Sequence, residues 1–248
     1  NKDEVISWIA KWSSQEESNA LLDETDITAM LAIQGPESAK LLDKICQPKP
    51  SALKPFYSCS CQLEGREILI SRTGYTGDQG FEIIADNDDV EFIWATLLQA
   101  GTTPCGLGAR DILRLEAGLM LHGIDMDSNT TPLEAGLERF VKWDKEDFIG
   151  LSALKLQKET GITKAITGLT MLDRGIPRHG NQIFYNNKPI GQVTSGTHSP
   201  FLDKDIGLGY VSTEHLVGDT KVSVHSNNKV LSAEITKLPF FTKSAVAG

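Results

Sequence analysis

A candidate binding loop lies in the stretch Arg72-Thr73-Gly74-Tyr75-Thr76-Gly77-Asp78-Gln79-Gly80-Phe81-Glu82-Ile83. Its three glycines lie between two runs of strand-forming residues, so the pattern predicts a strand, a loop and a second strand. Glycine allows the backbone to approach a flat ligand closely and to adopt positive φ. Neither a Lys-Ser/Thr pair nor a helix follows, which excludes a P-loop type of phosphate site. An ordinary hairpin remains the alternative.

Glu82 lies inside the predicted second strand. With the two-residue period of a strand, Phe81 and Ile83 share one face and Glu82 shares the other with Ile84. A buried carboxylate without a partner costs several kcal/mol, so Glu82 needs a hydrogen-bond donor. That donor is either an arginine of the protein or a ligand with two parallel N–H groups, such as an aminopyrimidine edge. The residues alone leave both readings open.

The pattern of predicted secondary structure changes near residue 160. Helical and strand patterns alternate up to about Leu156, and short strand-like runs follow from about Lys164. This predicts an α+β region over residues 1–160 and an antiparallel β-barrel or sandwich over residues 161–248. The predicted helices are one with Val5, Ile9 and Trp12 on a single face, one from Pro36 to Ile45, one around Val90–Leu98 capped by Asp88, and one from Ala109 to Leu121. The predicted strands are Ile27–Ile33, Phe56–Leu63, Ile68–Ile70, Phe81–Ala85, Ala165–Met171, Ile190–Ser195, Ile206–Val211, Lys221–His225 and Val230–Ile235, with turns at Asn186-Asn187 and Asn227-Asn228.

The composition excludes several classes of protein. The 248 residues include 24 Lys+Arg and 33 Asp+Glu, which gives a net charge of −9 and argues against a nucleic-acid groove as the main function. The sequence has no run of the ~18 apolar residues that a membrane span needs. The four cysteines and five histidines lack metal-ligand spacing, so a structural role is predicted for them rather than a metal site.

A second candidate segment is Gly106-Leu107-Gly108-Ala109-Arg110-Asp111-Ile112-Leu113-Arg114-Leu115-Glu116-Ala117-Gly118-Leu119. It lacks the third glycine of a dinucleotide-binding fingerprint, which argues against a Rossmann-type nucleotide site. Arg110 falls in the first turn of the predicted helix, where a cation opposes the helix dipole. Arg110 and Arg114, one turn apart, therefore either face an anion or pair with Asp111, Glu116 or Glu82.

A capping box is predicted at Thr131, with Pro132 at the first helical position and Glu134 at the third. The free amides of such a helix start can bind an anion, and a plain helix cap is the alternative.

Taken together, these blocks resemble the glycine cleavage T-protein family, the aminomethyltransferases. The resemblance covers nearly the whole chain and rests on Leu31–Pro36, Arg72–Ile83, Gly108–Leu119, Thr130–Gly136, Asp147–Gly150, Gly191–Gly196 with Ser199-Pro200, and Ile206–Val211, in this order. It implies folate-binding α/β lobes followed by a C-terminal β-barrel. It also implies transfer of an aminomethyl group from the lipoyl arm of the H-protein to tetrahydrofolate, which yields 5,10-methylenetetrahydrofolate and ammonia in glycine catabolism.

The resemblance assigns three substrate-binding residues and no metal. Glu82 resembles the family carboxylate that binds the pterin amino and N3–H groups. Arg110 resembles the folate-contacting arginine, and Tyr75 a residue of the ligand channel. No catalytic side chain is assigned, because Asn1 resembles a position beyond the family's catalytic aspartate, so this span alone is expected to be impaired. The resemblance leads us to expect a tyrosine near the C-terminus, and Phe240 and Phe241 stand in its place.

Two other functions remain possible. One is the folate-dependent iron–sulfur assembly branch, whose cysteine-bearing signature is absent from Lys145–Leu151. The other is a non-catalytic folate-binding module, such as the tail domain of a demethylating oxidase. The resemblance implies the H-protein and the other glycine cleavage enzymes as partners, and a cytoplasmic protein if bacterial or a mitochondrial one if eukaryotic.

Overall fold

The computed structural model describes residues 1–13, 21–216, 220–226 and 229–241. The chain forms two compact units, Asn1–Gly106 and Leu107–Gly248. The division predicted between residues 160 and 161 stays a prediction. No helix among the described residues is both long and apolar enough to cross a membrane.

The first unit is a five-stranded antiparallel sheet with helices. Its sheet order is β1-β5-β4-β3-β2. The elements are α1 (Lys2–Trp12), β1 (Thr28–Gln34), α2 (Ser38–Ile45), β2 (Cys46–Gln47), β3 (Ser58–Leu63), β4 (Arg66–Ser71), β5 (Gly80–Asp86) and α3 (Val90–Gln99). Strands β3 and β4 form a tight hairpin, in which Glu64 and Gly65 both have positive φ, as a two-residue turn of type I′ requires.

One face of this sheet carries the core of the first unit. The alternate residues Phe81 and Ile83 of β5 are fully buried, and Ile93 of α3 and Leu42 of α2 are buried in the same hydrophobic cluster. The other face, here called the outer face, carries Glu82 and Ile84, which are half-buried. The two-residue period predicted for β5 is confirmed.

Three details of the first unit differ from the sequence predictions. Helix α2 begins at Ser38 rather than Pro36, because Gly35 adopts a φ of +116° and its carbonyl accepts a hydrogen bond from the Ser38 amide. Asp88 lies in a 3-10 turn, and the cap of α3 falls on Asp89 without a side-chain bond. The predicted apolar face of α1 is exposed, since α1 buries none of its residues.

The second unit contains a closed antiparallel barrel, which decides between the barrel and the sandwich. The barrel order is β10-β11-β6-β9-β8-β7. The elements are α4 (Leu107–Glu116), α5 (Leu151–Thr160), β6 (Lys164–Met171), β7 (Gln182–Tyr185), β8 (Lys188–Ser199), β9 (Lys204–Ser212), β10 (Lys221–Ser226) and β11 (Lys229–Thr236). Strand β7 was not predicted, and β10 pairs with it to close the barrel.

Turn residues explain two other outcomes in the second unit. Asn186 and Asn187 both have positive φ, as predicted, whereas Asn227-Asn228 lies outside the described residues. The prediction that a helix extends to Leu121 is wrong. Helix α4 ends at Glu116 because Gly118 adopts a φ of +67° and the Leu119 amide bonds back to the Arg114 carbonyl at 2.8 Å, a glycine cap of a helix C-terminus.

The barrel depends on glycines that leave room for neighbouring backbone. A Cβ atom added at Gly196 would lie 1.8 Å from the Pro177 carbonyl oxygen. We therefore expect Gly196→Ala to lower the free energy of unfolding by about 3 kcal/mol, since overpacked sites shift rigid backbone. The matched control is Gly108→Ala in α4, where nothing lies within 4 Å and alanine favours the helix. Urea unfolding of both variants measures this, and equal stability of the two would contradict it.

Candidate functional site

Glu82 lies in a row of residues that crosses the outer face of the first unit's sheet. It stands opposite Ala32 of β1 and Ser71 of β4, and Ser71 in turn stands opposite Ser58 of β3. Neighbouring strands are about 4.8 Å apart, so small side chains flank the carboxylate on both sides. Around them, Met30 is 59% and Leu69 is 42% exposed. The carboxylate therefore stands on an open, partly apolar surface.

A threonine of the glycine loop holds this carboxylate. The Thr73 hydroxyl donates to Oε2 of Glu82 at 2.5 Å. Tyr75 lies in the same loop and is half-buried. The structure thus places Glu82 and the loop that carries Tyr75 on one unit, and their roles in binding folate stay predictions.

The glycines of the loop serve a purpose that the sequence did not reveal. A Cβ atom at Gly74 or Gly80 would lie 2.0 or 2.2 Å from Oε1 of Gln34. The Gln34 amide group fills this space, and its nitrogen donates to the carbonyls of Thr73 at 3.3 Å and Phe81 at 3.1 Å. Of the three glycines, only Gly77 has positive φ, at +68°. Two of the loop glycines therefore make space for a glutamine of the protein.

An exposed aromatic ring beside this loop was missed from the sequence. Phe56 is 84% exposed and has a φ of +68°, a left-handed conformation that costs a non-glycine residue roughly 1–2 kcal/mol. Its amide donates to the carbonyl of Arg72, and the Arg72 amide donates to the Tyr57 carbonyl. The Arg72 guanidinium also binds the Leu53 carbonyl at 2.7 Å. Only the Lys54-Pro55 pair before it could have indicated a special turn.

A cavity of about 660 Å³ opens farther along the outer face. Its lining residues are Glu24, Thr28, Gln47, Pro48, Ser60, Cys61, Gln62, Glu67, Ile68, Leu69, Ile84, Ala85 and Asp86. Glu82 is not one of them. Burial raises the pKa of the Cys61 thiol and that of its neighbour Cys46, which disfavours a reactive thiolate at these two cysteines.

In the second unit, Arg110 lies in the first turn of α4 and is exposed. Arg114, one turn later, is buried with 2% exposure. Arg114 pairs with Asp111 at 2.8 Å and with Asp125 at 2.5 Å. Of the alternatives left open by the sequence, pairing within the protein therefore holds for Arg114. Arg110 belongs to a different unit from Glu82.

Asp125 accepts hydrogen bonds from three parts of the second unit. Its carboxylate accepts from Arg114, from the Leu121 amide at 2.9 Å, and from the hydroxyls of Thr194 at 2.5 Å and Ser195 at 2.7 Å. The two hydroxyls belong to successive residues of β8, which ordinarily point to opposite faces. A β-bulge between Val193 and Ser195 explains why both reach one carboxylate.

This network is a buried ion pair with additional hydrogen bonds. Burial alone lowers the pKa of the Arg114 guanidinium, but the charges of Asp125 and Asp111 outweigh it and leave the pKa raised. Removing one partner of such a pair costs about 3–5 kcal/mol. The network fixes α4, and with it the turn that carries Arg110, against barrel strand β8.

Other predicted sites have structural explanations. The amides of Thr131 and Glu134 bond to each other's side chains at 3.0 and 3.2 Å, so the capping box is confirmed. It closes a turn over residues 132–136, and a short 3-10 helix, Glu138–Phe140, follows in place of the predicted α-helix. Within residues 1–13, 21–216, 220–226 and 229–241, no group of three or more His, Cys, Asp or Glu side chains is arranged to hold a metal ion.

Comparison with known proteins gives a consistent family assignment. Residues 1–145 match the family described as "GCVT N-terminal domain", and residues 164–242 match "Glycine cleavage T-protein C-terminal barrel domain". Proteins named aminomethyltransferase from Bacillus subtilis and Halothermothrix orenii are 41% and 42% identical over 98% and 97% of this chain. This chain covers 68% of each of these two relatives.

A solved structure agrees with these relatives. The crystal structure of glycine cleavage system aminomethyltransferase T from Bartonella henselae has a TM-score of 0.79 and 34% identity. The match covers 86% of this chain and 60% of that one. An α+β region followed by a closed antiparallel barrel, with these matches, defines a two-part protein of the aminomethyltransferase class. The chain belongs to the glycine cleavage T-protein family.

Tyr210 of β9 gives the second unit a measurable pH dependence. Burial, with the nearby charges of Asp125 and Glu134, raises its pKa from 10.0 to about 12. The folded state therefore favours the neutral phenol, and this stability is present below pH 10 and lost as the pH rises towards 12. The unfolding free energy of the unmodified chain should therefore fall between pH 10 and about 12. We expect Tyr210→Phe to make this fall smaller by on the order of 2 kcal/mol. Denaturant unfolding of both proteins at several alkaline pH values measures this difference. The prediction would be contradicted if the unfolding free energy depended on pH in the same way in both proteins.

Proposed function

We propose that this chain binds tetrahydrofolate and takes part in aminomethyl transfer from the lipoyl arm of the H-protein, yielding 5,10-methylenetetrahydrofolate and ammonia. Its family membership and the names of its relatives support the transferase function. The chain spans about two thirds of the relatives it matches, so the complete reaction and its partners, the H-protein and the other glycine cleavage enzymes, are proposals. The relatives are bacterial, which supports a cytoplasmic protein.

The observation that carries the folate proposal is the half-buried Glu82 carboxylate in its row of small side chains. Because Ala32, Ser71 and Ser58 flank it, a flat ring could approach without meeting a large side chain in that row. A carboxylate accepts two parallel N–H bonds, and charge-assisted bonds of this kind are among the stronger ones in proteins. The pterin amino and N3–H groups form such a pair of donors.

Phe56 supports the same ligand class. An exposed ring held in a costly backbone conformation gains nothing from packing, and backbone strain of this kind concentrates at functional sites. The Phe56 backbone amide donates to the Arg72 carbonyl, and the next residue, Thr73, donates its hydroxyl to Glu82. We infer that Phe56 offers a stacking surface to the flat ring that Glu82 binds. Arg110 and Tyr75 are proposed as further folate contacts.

The alternative functions are less well supported. The relatives reported above are named aminomethyltransferases, and the segment Lys145–Leu151 holds no cysteine. Detection of H-protein-dependent methylene transfer to tetrahydrofolate separates a transferase from a non-catalytic folate-binding module, because only the former produces 5,10-methylenetetrahydrofolate.

The first test is Glu82→Ala. We expect it to weaken tetrahydrofolate binding about a hundredfold, roughly 3 kcal/mol, because two charge-assisted hydrogen bonds are lost. Calorimetry with tetrahydrofolate measures the dissociation constant. The control is Glu67→Ala, which removes an exposed carboxylate of β4 from another row of the same face and should leave affinity unchanged. Near-normal binding by Glu82→Ala would reject the site.

The second test is Phe56→Asn. Asparagine tolerates the left-handed conformation but offers no ring, so stability should stay within about 0.5 kcal/mol. Folate affinity should fall about tenfold, since stacking of a base on an aromatic side chain contributes about 1–3 kcal/mol. As the control, Phe92→Asn removes a 41% exposed ring from α3, the helix whose Ile93 packs into the core. Equal folate affinity of the two variants would show that Phe56 has no part in binding.

A further inference from the structure

Resting on the folate site proposed above, we propose that Thr73 is a positioning residue that orients the Glu82 carboxylate for the pterin edge, with Gln34 holding Thr73 in place. Two hydrogen bonds connect β1, the glycine loop and β5. The Gln34 amide donates to the Thr73 carbonyl, and the Thr73 hydroxyl donates to the Glu82 carboxylate. All three side chains belong to the first unit.

The first step is the bond between Thr73 and Glu82. A glutamate on an open face has several rotamers, and ordering a long side chain carries an entropic cost. The Thr73 hydroxyl, 2.5 Å from Oε2, selects the rotamers that keep this bond. Because this bond is made within the protein, part of the ordering cost falls on folding and not on binding.

The bond to Thr73 leaves hydrogen-bond acceptor capacity on the Glu82 carboxylate. A carboxylate offers about four lone-pair sites, and the Thr73 hydroxyl occupies one of them on Oε2. Oε1 and the remaining site on Oε2 suffice for two parallel N–H donors. The hydroxyl thus sets the direction of the carboxylate and leaves the capacity that an aminopyrimidine edge requires.

Thr73 is itself held in place by the Gln34 side chain. Gln34 donates to the Thr73 carbonyl at 3.3 Å and to the Phe81 carbonyl at 3.1 Å, and its Oε1 accepts from the Thr76 hydroxyl at 3.2 Å. The Gln34 side chain therefore links Thr73 and Thr76 of the loop to Phe81, the residue that precedes Glu82. The space for it exists because Gly74 and Gly80 lack a Cβ atom.

The test is a double-mutant cycle between positions 73 and 82. Thr73→Val removes the hydroxyl and keeps the branched shape, whereas the matched control Thr73→Ser keeps the hydroxyl. Calorimetry with tetrahydrofolate should show about a tenfold loss of affinity for Thr73→Val and a change of less than about twofold for Thr73→Ser. In the Glu82→Ala background, Thr73→Val should cause no further loss, because the carboxylate it orients is gone.

The outcomes separate the two proposals. If Glu82→Ala binds tetrahydrofolate normally, the folate site fails and the positioning role fails with it. If Glu82→Ala binds weakly but Thr73→Val binds like the unmodified chain, only the positioning role is overturned. It is also overturned if Thr73→Val weakens binding equally with and without Glu82, or if Thr73→Ser is as poor as Thr73→Val, because a purely structural role of the loop gives these results.

Discussion

The antiparallel register of β5 with its neighbours β1 and β4 determines which face of the sheet carries Glu82. A slip of one residue would move Glu82 into the core and expose Phe81 and Ile83, both of which are fully buried. Burial of each such side chain contributes about 1.5–3 kcal/mol. The position of Glu82 therefore depends chiefly on its apolar neighbours, and its own bond to Thr73 adjusts only the direction of the carboxylate.

The sequence predicted the parts of the fold that follow from local patterns. Strand β5 and its two faces followed from a two-residue period, and most barrel strands followed from short apolar runs between turn residues. The missing strand β7 has only four residues, Gln182–Tyr185, too few for a periodic signal. The predicted end of α4 overlooked the local stop signal of Gly118, because the apolar residues that follow it continue the helical pattern.

The candidate site was predictable in its residue types but not in its connections. The apolar strand marked Glu82 as a carboxylate that needs a donor, and only the resemblance to the family assigned it to the pterin. Its support, Gln34, lies 39 residues before Thr73, and no local pattern links the two. The partners of Arg114 show the same limit. Asp125 and Ser195 lie 11 and 81 residues away, and a bulge, which breaks the alternation of β8, turns both hydroxyls towards one carboxylate.

The two units secure their candidate ligand contacts in different ways. In the second unit, Arg110 lies one turn from a buried ion pair, and the stability of that pair holds its helix against the barrel. In the first unit, Phe56 is strained and exposed and Glu82 is half-buried, so neither contributes much to folding. Such residues persist only where surrounding structure determines their conformation; here Arg72, Thr73 and Gln34 provide it. For the proposed ligand contacts, we therefore expect binding and stability to be largely separable in the first unit, whereas a change in the network beside Arg110 should affect both.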